Sequence, residues 1–502
     1  MTGGVAWPDG QALPWFATPS ELAVLDLRGA SPADVLLATT AQGVVNRARP
    51  RIWLVQDAEE GSHTWLDTLA LPATRLSDVD GVDELVARYR GEIRGAILAD
   101  PAVPATRNVA TTLAGLEDAV VAEPETADRF ELPVLADLRG RFGDDEAAYG
   151  WAVDELWPRT THRMLVGLDH RIPGFLRDYA VANRALVVWL DPGRRTGRAL
   201  LETLLADMPP NSPYLGWWGS DVDGENVGTE LVSRHGVYVV AADFSLNLTV
   251  FGGVRTAVPP SLKPPAMTLE DRVYVTFTVT DGDNLQYCQH AMRRLWDMPE
   301  RGRTPLNWTV SPLLLDAAPA ILAYYRRTAT ANDLLVVGPS GLGYAYPSVW
   351  PDLDAFTRQT GAYARRLGPP VVSVLNRVRG RDRDLSVSHV DAYARDVEPV
   401  GILQHWTSRT SAGLVGGVPV ATGVLVDSQA QCRRVLARAA RGSGPRFVSI
   451  GVLAWSMTPA DVAAVTAELD DRFVTVRADQ FFDLVRTAGP TRQRWRWPWL
   501  RG

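Results

Sequence analysis

The feature that most restricts this 502-residue chain is the alternation, along nearly its whole length, of short apolar runs with longer helix-like stretches. In the first half the apolar runs fall at 22–28, 51–55, 94–99, 119–122 and 185–190. Amphipathic segments separate them. Ser31 before Pro32 is a capping residue followed by a first-turn proline, and it opens a helix running toward Asn46. Strands that alternate with helices form parallel sheets covered on both faces. The pattern therefore predicts an α/β region of Rossmann-like or flavodoxin-like kind over residues 1–258. No Gly-x-Gly-x-x-Gly follows its first run, so no nucleotide is inferred.

Val258-Pro-Pro-Ser-Leu-Lys-Pro-Pro265 places four prolines in eight residues. Proline fixes φ and removes a backbone donor, so this stretch reads as an extended linker and a domain boundary. Beyond it, 272–279 is the strongest strand signal in the chain, rich in β-branched and aromatic residues. Further strands are expected at 334–337, 371–375, 400–403, 420–426, 447–452 and 473–476. Helices are expected at 317–328, 352–366, 388–395, 430–441 and 459–470. Six or seven βα units over 266–487 predict an irregular, about seven-stranded β/α barrel, with an open doubly wound sheet as the alternative. Residues 488–502, containing Arg494-Trp-Arg-Trp-Pro-Trp499, form a basic aromatic tail.

Composition narrows the function. The net charge of −7 offers no basic footprint for nucleic acid. Two cysteines, Cys288 and Cys432, cannot build a disulfide framework or a cysteine metal cluster. No run of ~18 apolar residues is present, so no transmembrane helix is expected. The first 30 residues lack a basic stretch followed by an apolar one, and the expected location is cytoplasmic.

The chemistry-bearing segments sit after the predicted strands. Thr280-Asp-Gly-Asp-Asn284 follows the strongest strand. Residues two apart on an extended chain point the same way, with Cα atoms ~6.6–6.8 Å apart. Asp281 and Asp283 can then serve as the acid and base of a glycosidase, hold Ca²⁺ or Mg²⁺, or only shape a turn and cap. Gly338-Pro-Ser-Gly-Leu-Gly-Tyr-Ala-Tyr-Pro-Ser348 follows the strand at 334–337. Gly341 and Gly343 permit close backbone approach, and Tyr344 and Tyr346 offer ring faces and hydroxyls. The competing reading is a rigid turn with packed tyrosines. Gly216-Trp-Trp-Gly-Ser-Asp-Val-Asp-Gly-Glu225 is aromatic and acidic, which makes Glu225 a candidate remote acid or base. His405 and Trp406 follow the strand at 400–403. Asp427 and Trp455 follow later strands, Trp455 as a sugar platform, and Asp479 reads as a helix cap. There are 7 histidines and no His-x-x-x-His pair, which disfavours a zinc site.

Gly341-Leu-Gly-Tyr-Ala-Tyr-Pro347 matches every fixed position of the signature that names the GxGYxYP family. The segments Asp281-Gly-Asp-Asn284, Asn307-Trp-Thr-Val-Ser-Pro312, Gln42-Gly-Val-Val-Asn-Arg47, Arg177-Asp-Tyr-Ala-Val181 and Ala242-Asp-Phe-Ser-Leu-Asn-Leu248 also resemble that family. The resemblance covers most of residues 20–485 and implies a two-domain glycoside hydrolase acting on a carbohydrate. On this reading Asp281 and Asp283 are the catalytic carboxylates. Asn284, Gly341, Gly343, Tyr344, Tyr346, Glu225, His405, Trp406, Asp427 and Trp455 contact substrate, and no resident cofactor is needed. The alternatives are a non-catalytic glycan-binding protein and a carbohydrate deacetylase or esterase. The last lacks a Gly-x-Ser-x-Gly elbow here.

Overall fold

The computed structural model describes residues 4–56, 62–69, 75–220, 224–282, 284–441 and 444–489. Asp283 and the tail beyond residue 489 lie outside the described residues. The first half is α/β as its pattern predicts, but its strands are dealt into three short parallel sheets. The first has the order β2-β1-β3, from β1 (Glu21–Asp26), β2 (Ile52–Val55) and β3 (Arg75–Asp78). The second has the order β5-β4-β6, from β4 (Ala96–Leu98), β5 (Val120–Ala122) and β6 (Val134–Asp137). The third has the order β10-β9-β7-β8, from β7 (Leu165–Gly167), β8 (Leu186–Val188), β9 (Ser212–Gly216) and β10 (Val237–Val240). Helices are shared between these sheets: Pro32–Ala48 packs on both β2 and β5, and Thr106–Glu117 on β4, β5 and β8. Residues 254–270 contain no helix or strand, as the clustered prolines require.

Seven parallel strands then close a barrel in sequence order. They are β11 (Val273–Val279), β12 (Leu306–Val310), β13 (Asp333–Val337), β14 (Val371–Ser373), and, after the small hairpin of β15 (Arg377–Val378) and β16 (Arg381–Asp382), β17 (Gly401–Gln404). An antiparallel β18 (Ser411–Val415) precedes β19 (Val418–Val426), and β20 (Arg446–Val452) returns to β11 along its full length. The closing seam is split. β12 pairs only with Thr278 and Val279 of β11, while β21 (Phe473–Thr475) pairs with Val273, Tyr274 and Val275. The run at 473–476 is thus a wedge in the wall rather than a full stave. Leu306–Val310, not expected as a strand, takes its place.

Asn307 explains both facts. Its Nδ2 donates to Thr276 Oγ1 (2.8 Å) and Phe277 O (2.7 Å), and its Oδ1 accepts from Ala478 N (2.8 Å). An asparagine disfavoured in strands here fills the hydrogen-bonding gap where the ladder parts. Beyond the wedge, helix Ala478–Ala488 turns under the barrel. Phe481 and Phe482 pack with Tyr274, Val336 and Leu403, and Arg486 donates to Val400 O (2.8 Å). The floor is closed, so any opening lies at the carboxyl ends of the strands. Cys288 and Cys432 are both buried and form no disulfide.

Candidate active site

A solvent-open cleft of about 730 Å³ lies at that rim. The loops after β11, β13, β17 and β20 form one side, and the third α/β unit forms the other with Trp217, Glu225, Asp243 and Phe244. Of the residues singled out from sequence, Asp281, Asn284, Tyr344, Glu225, Trp406 and Trp455 come together here.

Asp281 follows β11 in a left-handed conformation, φ 72°. The next residue must be glycine, because a Cβ on Gly282 would lie 1.6 Å from Thr309 O. Gly282 N donates to Thr309 Oγ1 (2.9 Å), which ties this turn to β12. The Asp281 carboxyl is therefore held rigidly. Its Oδ2 accepts from Thr280 Oγ1 (2.5 Å) and its Oδ1 from the Trp455 indole N–H (3.0 Å). Removal from water pushes its pKa up, the Thr280 and Trp455 hydrogen bonds pull it down, and the charge of nearby Glu225 pushes it up; the balance is a raised value. Asn284 donates to Asp281 O (3.0 Å) and completes the turn into helix Leu285–Gln289. Trp455 is 57% exposed and meets Tyr287 edge-on, with centroids 5.5 Å apart. One indole thus offers its face to the cleft while its N–H holds the carboxylate.

Glu225 comes from the opposite side. Its Oε1 accepts from Tyr344 Oη (2.9 Å) and from the Arg377 guanidinium (3.0 Å). Tyr346 donates its hydroxyl to the backbone carbonyl of Glu225 (2.5 Å). Arg377 also binds Asp382 (2.8 Å), closing the β15–β16 hairpin. The signature loop itself adds to the free edge of β10: Val239 N donates to Tyr344 O (3.0 Å) and Tyr344 N to Val239 O (2.8 Å). That approach explains Gly343, where a Cβ would lie 2.6 Å from the Tyr238 ring. Gly341 has φ 154°, and a Cβ there would lie 2.6 Å from Thr360 Oγ1.

Five expected substrate contacts are therefore corrected. Gly341, Gly343 and Tyr346 are buried and build the loop that grips Glu225. His405 is fully buried, bonded through Nε2 to Ser449 Oγ (3.0 Å) and packed over Gly451, and burial lowers its pKa to about 3. Asp427 is exposed and does not line the cleft; its backbone N–H is bonded to Gln431 (3.2 Å). Asp479 sits in the first turn of the last helix, paired with Arg477 (2.5 Å). Sequence reading missed Arg377 and Phe244. Arg377 opens Arg377-Val-Arg-Gly-Arg-Asp-Arg-Asp384, a charge run that reads as a solvated turn. Among the described residues no group of three or more His, Cys, Asp or Glu is placed to hold a metal ion. Among them, too, no helix is long and apolar enough to cross a membrane.

A closed barrel with a carboxylate- and tryptophan-lined cleft at its carboxyl rim defines a β/α-barrel protein whose site is completed by an accessory α/β unit. The chain belongs to the GxGYxYP family. Residues 271–486 match the model described as GxGYxYP putative glycoside hydrolase C-terminal domain, 162–253 the GxGYxYP third domain, and 93–160 the GxGYxYP_N second domain. A solved structure described as a putative hydrolase from Bacteroides thetaiotaomicron VPI-5482 shares the fold. It is 21% identical, with a TM-score of 0.85 over 96% of this chain and 99% of that one. A 4-alpha-glucanotransferase from Thermococcus litoralis aligns over 43% of this chain and 40% of its own, at 11% identity and a TM-score of 0.30. No curated protein matches the sequence.

Proposed function

We propose that this protein is a glycoside hydrolase that cleaves its carbohydrate substrate in the rim cleft, with Asp281 as proton donor and Glu225 as the second carboxylate. One observation carries the reading: two carboxyl groups in one cleft have opposite surroundings. Asp281, desolvated and beside another negative charge, favours its protonated form. Glu225 instead accepts hydrogen bonds from a guanidinium and a phenol hydroxyl. Unlike surroundings let two carboxyl groups in one cleft take different roles in glycoside cleavage. Asp281 then protonates the leaving glycosidic oxygen. Glu225 acts from the other wall, as nucleophile or as base for water. Trp455, with Phe244 opposite, offers an apolar face to a sugar ring, and Asn284 offers an amide to its hydroxyls.

The test is release of reducing ends from a panel of neutral oligosaccharides by the wild type, Asp281→Asn and Glu225→Gln. Each variant should lose at least ~10³-fold in kcat while keeping the native circular dichroism spectrum. The acid must be protonated to act, so kcat/KM should fall as pH rises through the raised Asp281 pKa, and this alkaline limb should vanish in Asp281→Asn. Wild-type rates in both variants would remove the assignment. Saturable binding without turnover by the wild type would replace it with a glycan-binding protein.

A further inference from the structure

A second crevice, about 250 Å³, opens beyond the carboxyl ends of β7 and β8 in the third sheet. The chain enters that sheet at β7, steps out to β8, then crosses back to β9 on the other side of β7. The order therefore reverses between β7 and β9, at the edge of this crevice, and in doubly wound sheets ligands bind outside the strand ends near such a reversal. The crevice takes His170 from the loop after β7, Trp189 and Asp191 from the loop after β8, Gly219 from the loop after β9, and Asp145 from a neighbouring helix.

A hydrogen-bond chain of fixed polarity leads into it. Arg177, fully buried, can only donate, and its NH1 meets Asn108 Oδ1 (3.0 Å). The Asn108 amide must then point its NH₂ the other way, to Leu168 O (2.8 Å) and to Tyr149 Oη (3.0 Å). The Tyr149 oxygen accepts there, so its own proton goes to His170 Nδ1, 3.2 Å away. Burial keeps Tyr149 protonated and lowers the pKa of His170. The neutral imidazole therefore carries its hydrogen on Nε2. That N–H faces Asp145 Oδ2 at 3.9 Å, too far for a direct bond. A hydroxyl oxygen between them can accept from His170 and donate to Asp145.

We propose that this crevice is a second ligand site, for a neutral sugar, with a ring hydroxyl bridging His170 and Asp145 and the pyranose C–H face against Trp189. It goes beyond the catalytic reading of the rim cleft and stands or falls separately. Charge selects the ligand class. Asp145, Glu146 and Asp191 face one cation, Arg194, so the wall repels phosphate and carboxylate groups although helix Arg195–Ala206 begins there. Asp191 already accepts from Gly193 N (2.8 Å) at that helix start.

The experiment uses the full chain with ¹³C-labelled histidine. His170 is one of 7 imidazoles, assigned by the signal lost in His170→Gln. Glucose, galactose and N-acetylglucosamine are titrated separately, with inorganic phosphate and ADP as anionic probes. At least one neutral sugar should shift the His170 signal saturably. The shift should be lost in Trp189→Ala and weakened several-fold in Asp145→Asn, which keeps an oxygen for Ala105 N (2.9 Å). It should persist in Asp281→Asn, since that change lies in the other cleft. No saturable shift with any of the three sugars would overturn the proposal. So would a response to phosphate or ADP alone, or a sugar response unchanged in both Trp189→Ala and Asp145→Asn.

Discussion

Asp178 is a carboxyl group buried without a counter-cation among its hydrogen-bond partners. Its Oδ2 accepts from Thr249 Oγ1 (2.6 Å), and among the described residues Oδ1 has no partner. Burial raises its pKa from 3.8 to about 6, outweighing the Thr249 hydrogen bonds. The folded state thus holds a proton that the unfolded chain has released between those values. Stability from this group is fully present below pH 3.8, is lost as pH rises toward about 6, and does not return above it. The loss is on the order of 3 kcal/mol at most. Asp178→Asn cannot ionise and keeps an acceptor for Thr249. It should raise the melting temperature near about pH 8 and change it little near about pH 4. Equal shifts at both pH values would mean that ionisation is not the source. This position was visible in sequence only as part of Arg177-Asp-Tyr-Ala-Val181, a segment resembling a family. Nothing in a local pattern says that an aspartate will be sealed between a helix and Thr249, which lies far along the chain. Asp281 was legible because a carboxylate directly after the strongest strand has one place to go, the barrel rim.

At the scale of elements, the signature loop after β13 acts as a clamp between barrel and accessory unit. It extends the third sheet at Val239, hands one phenol to the Glu225 carboxylate and another to the Glu225 backbone. Tyr344→Phe keeps the ring and removes the first of these bonds. If Tyr344 positions Glu225, the variant should lose about 10- to 100-fold in kcat, with KM nearly unchanged and a stability cost of about 1 kcal/mol. A fall in stability with full activity would make the tyrosine purely structural. Sequence reading located this loop and its glycines but gave Tyr346, Gly341 and Gly343 to the substrate. Glycines that admit a ligand and glycines that admit another strand look alike in one dimension. Here Tyr238 and Val239 fill the space at Gly343, and Thr360 and Phe356 of helix Leu353–Leu367 fill it at Gly341. The same limit governs the barrel. Six of its seven staves announce themselves as β-branched runs. β12 does not, because Asn307 and Trp308 serve the split seam and the helix layer rather than strand propensity.

On the whole-molecule scale the proline-rich segment separates the halves in sequence without separating their cores. One apolar cluster contains Leu13 and Phe16 near the start, Trp53 and Trp65 of the first unit, Tyr179 and Phe251 of the third, and Trp308, Tyr325 and Phe356 of the barrel. Trp65 is fully buried, edge-on to Phe251 (6.5 Å), Tyr324 (5.3 Å) and Tyr325 (6.0 Å), and its indole donates to Gln289 O (2.5 Å). Asp316 on the barrel accepts from Trp15 Nε1 (3.2 Å), pinning the first segment to the same body. Burial of one such aromatic stabilises by ~1.5–3 kcal/mol, and several lie on this junction. Neither half can shed the other without exposing them. Calorimetry of the full chain should therefore give one cooperative transition, with calorimetric and van't Hoff enthalpies in agreement. A segment covering residues 266–489 should lack the native near-ultraviolet dichroism and aggregate, since it retains Tyr324 and Tyr325 without Trp65. It should also be inactive for a separate reason, because Glu225 lies outside it. Adding back residues 4–258 in trans distinguishes the two losses: recovery of native dichroism and of activity together is expected if the junction organises the cleft. Two well-separated transitions, or an isolated barrel with a native spectrum, would show that the halves are independent and that the shared cluster contributes little.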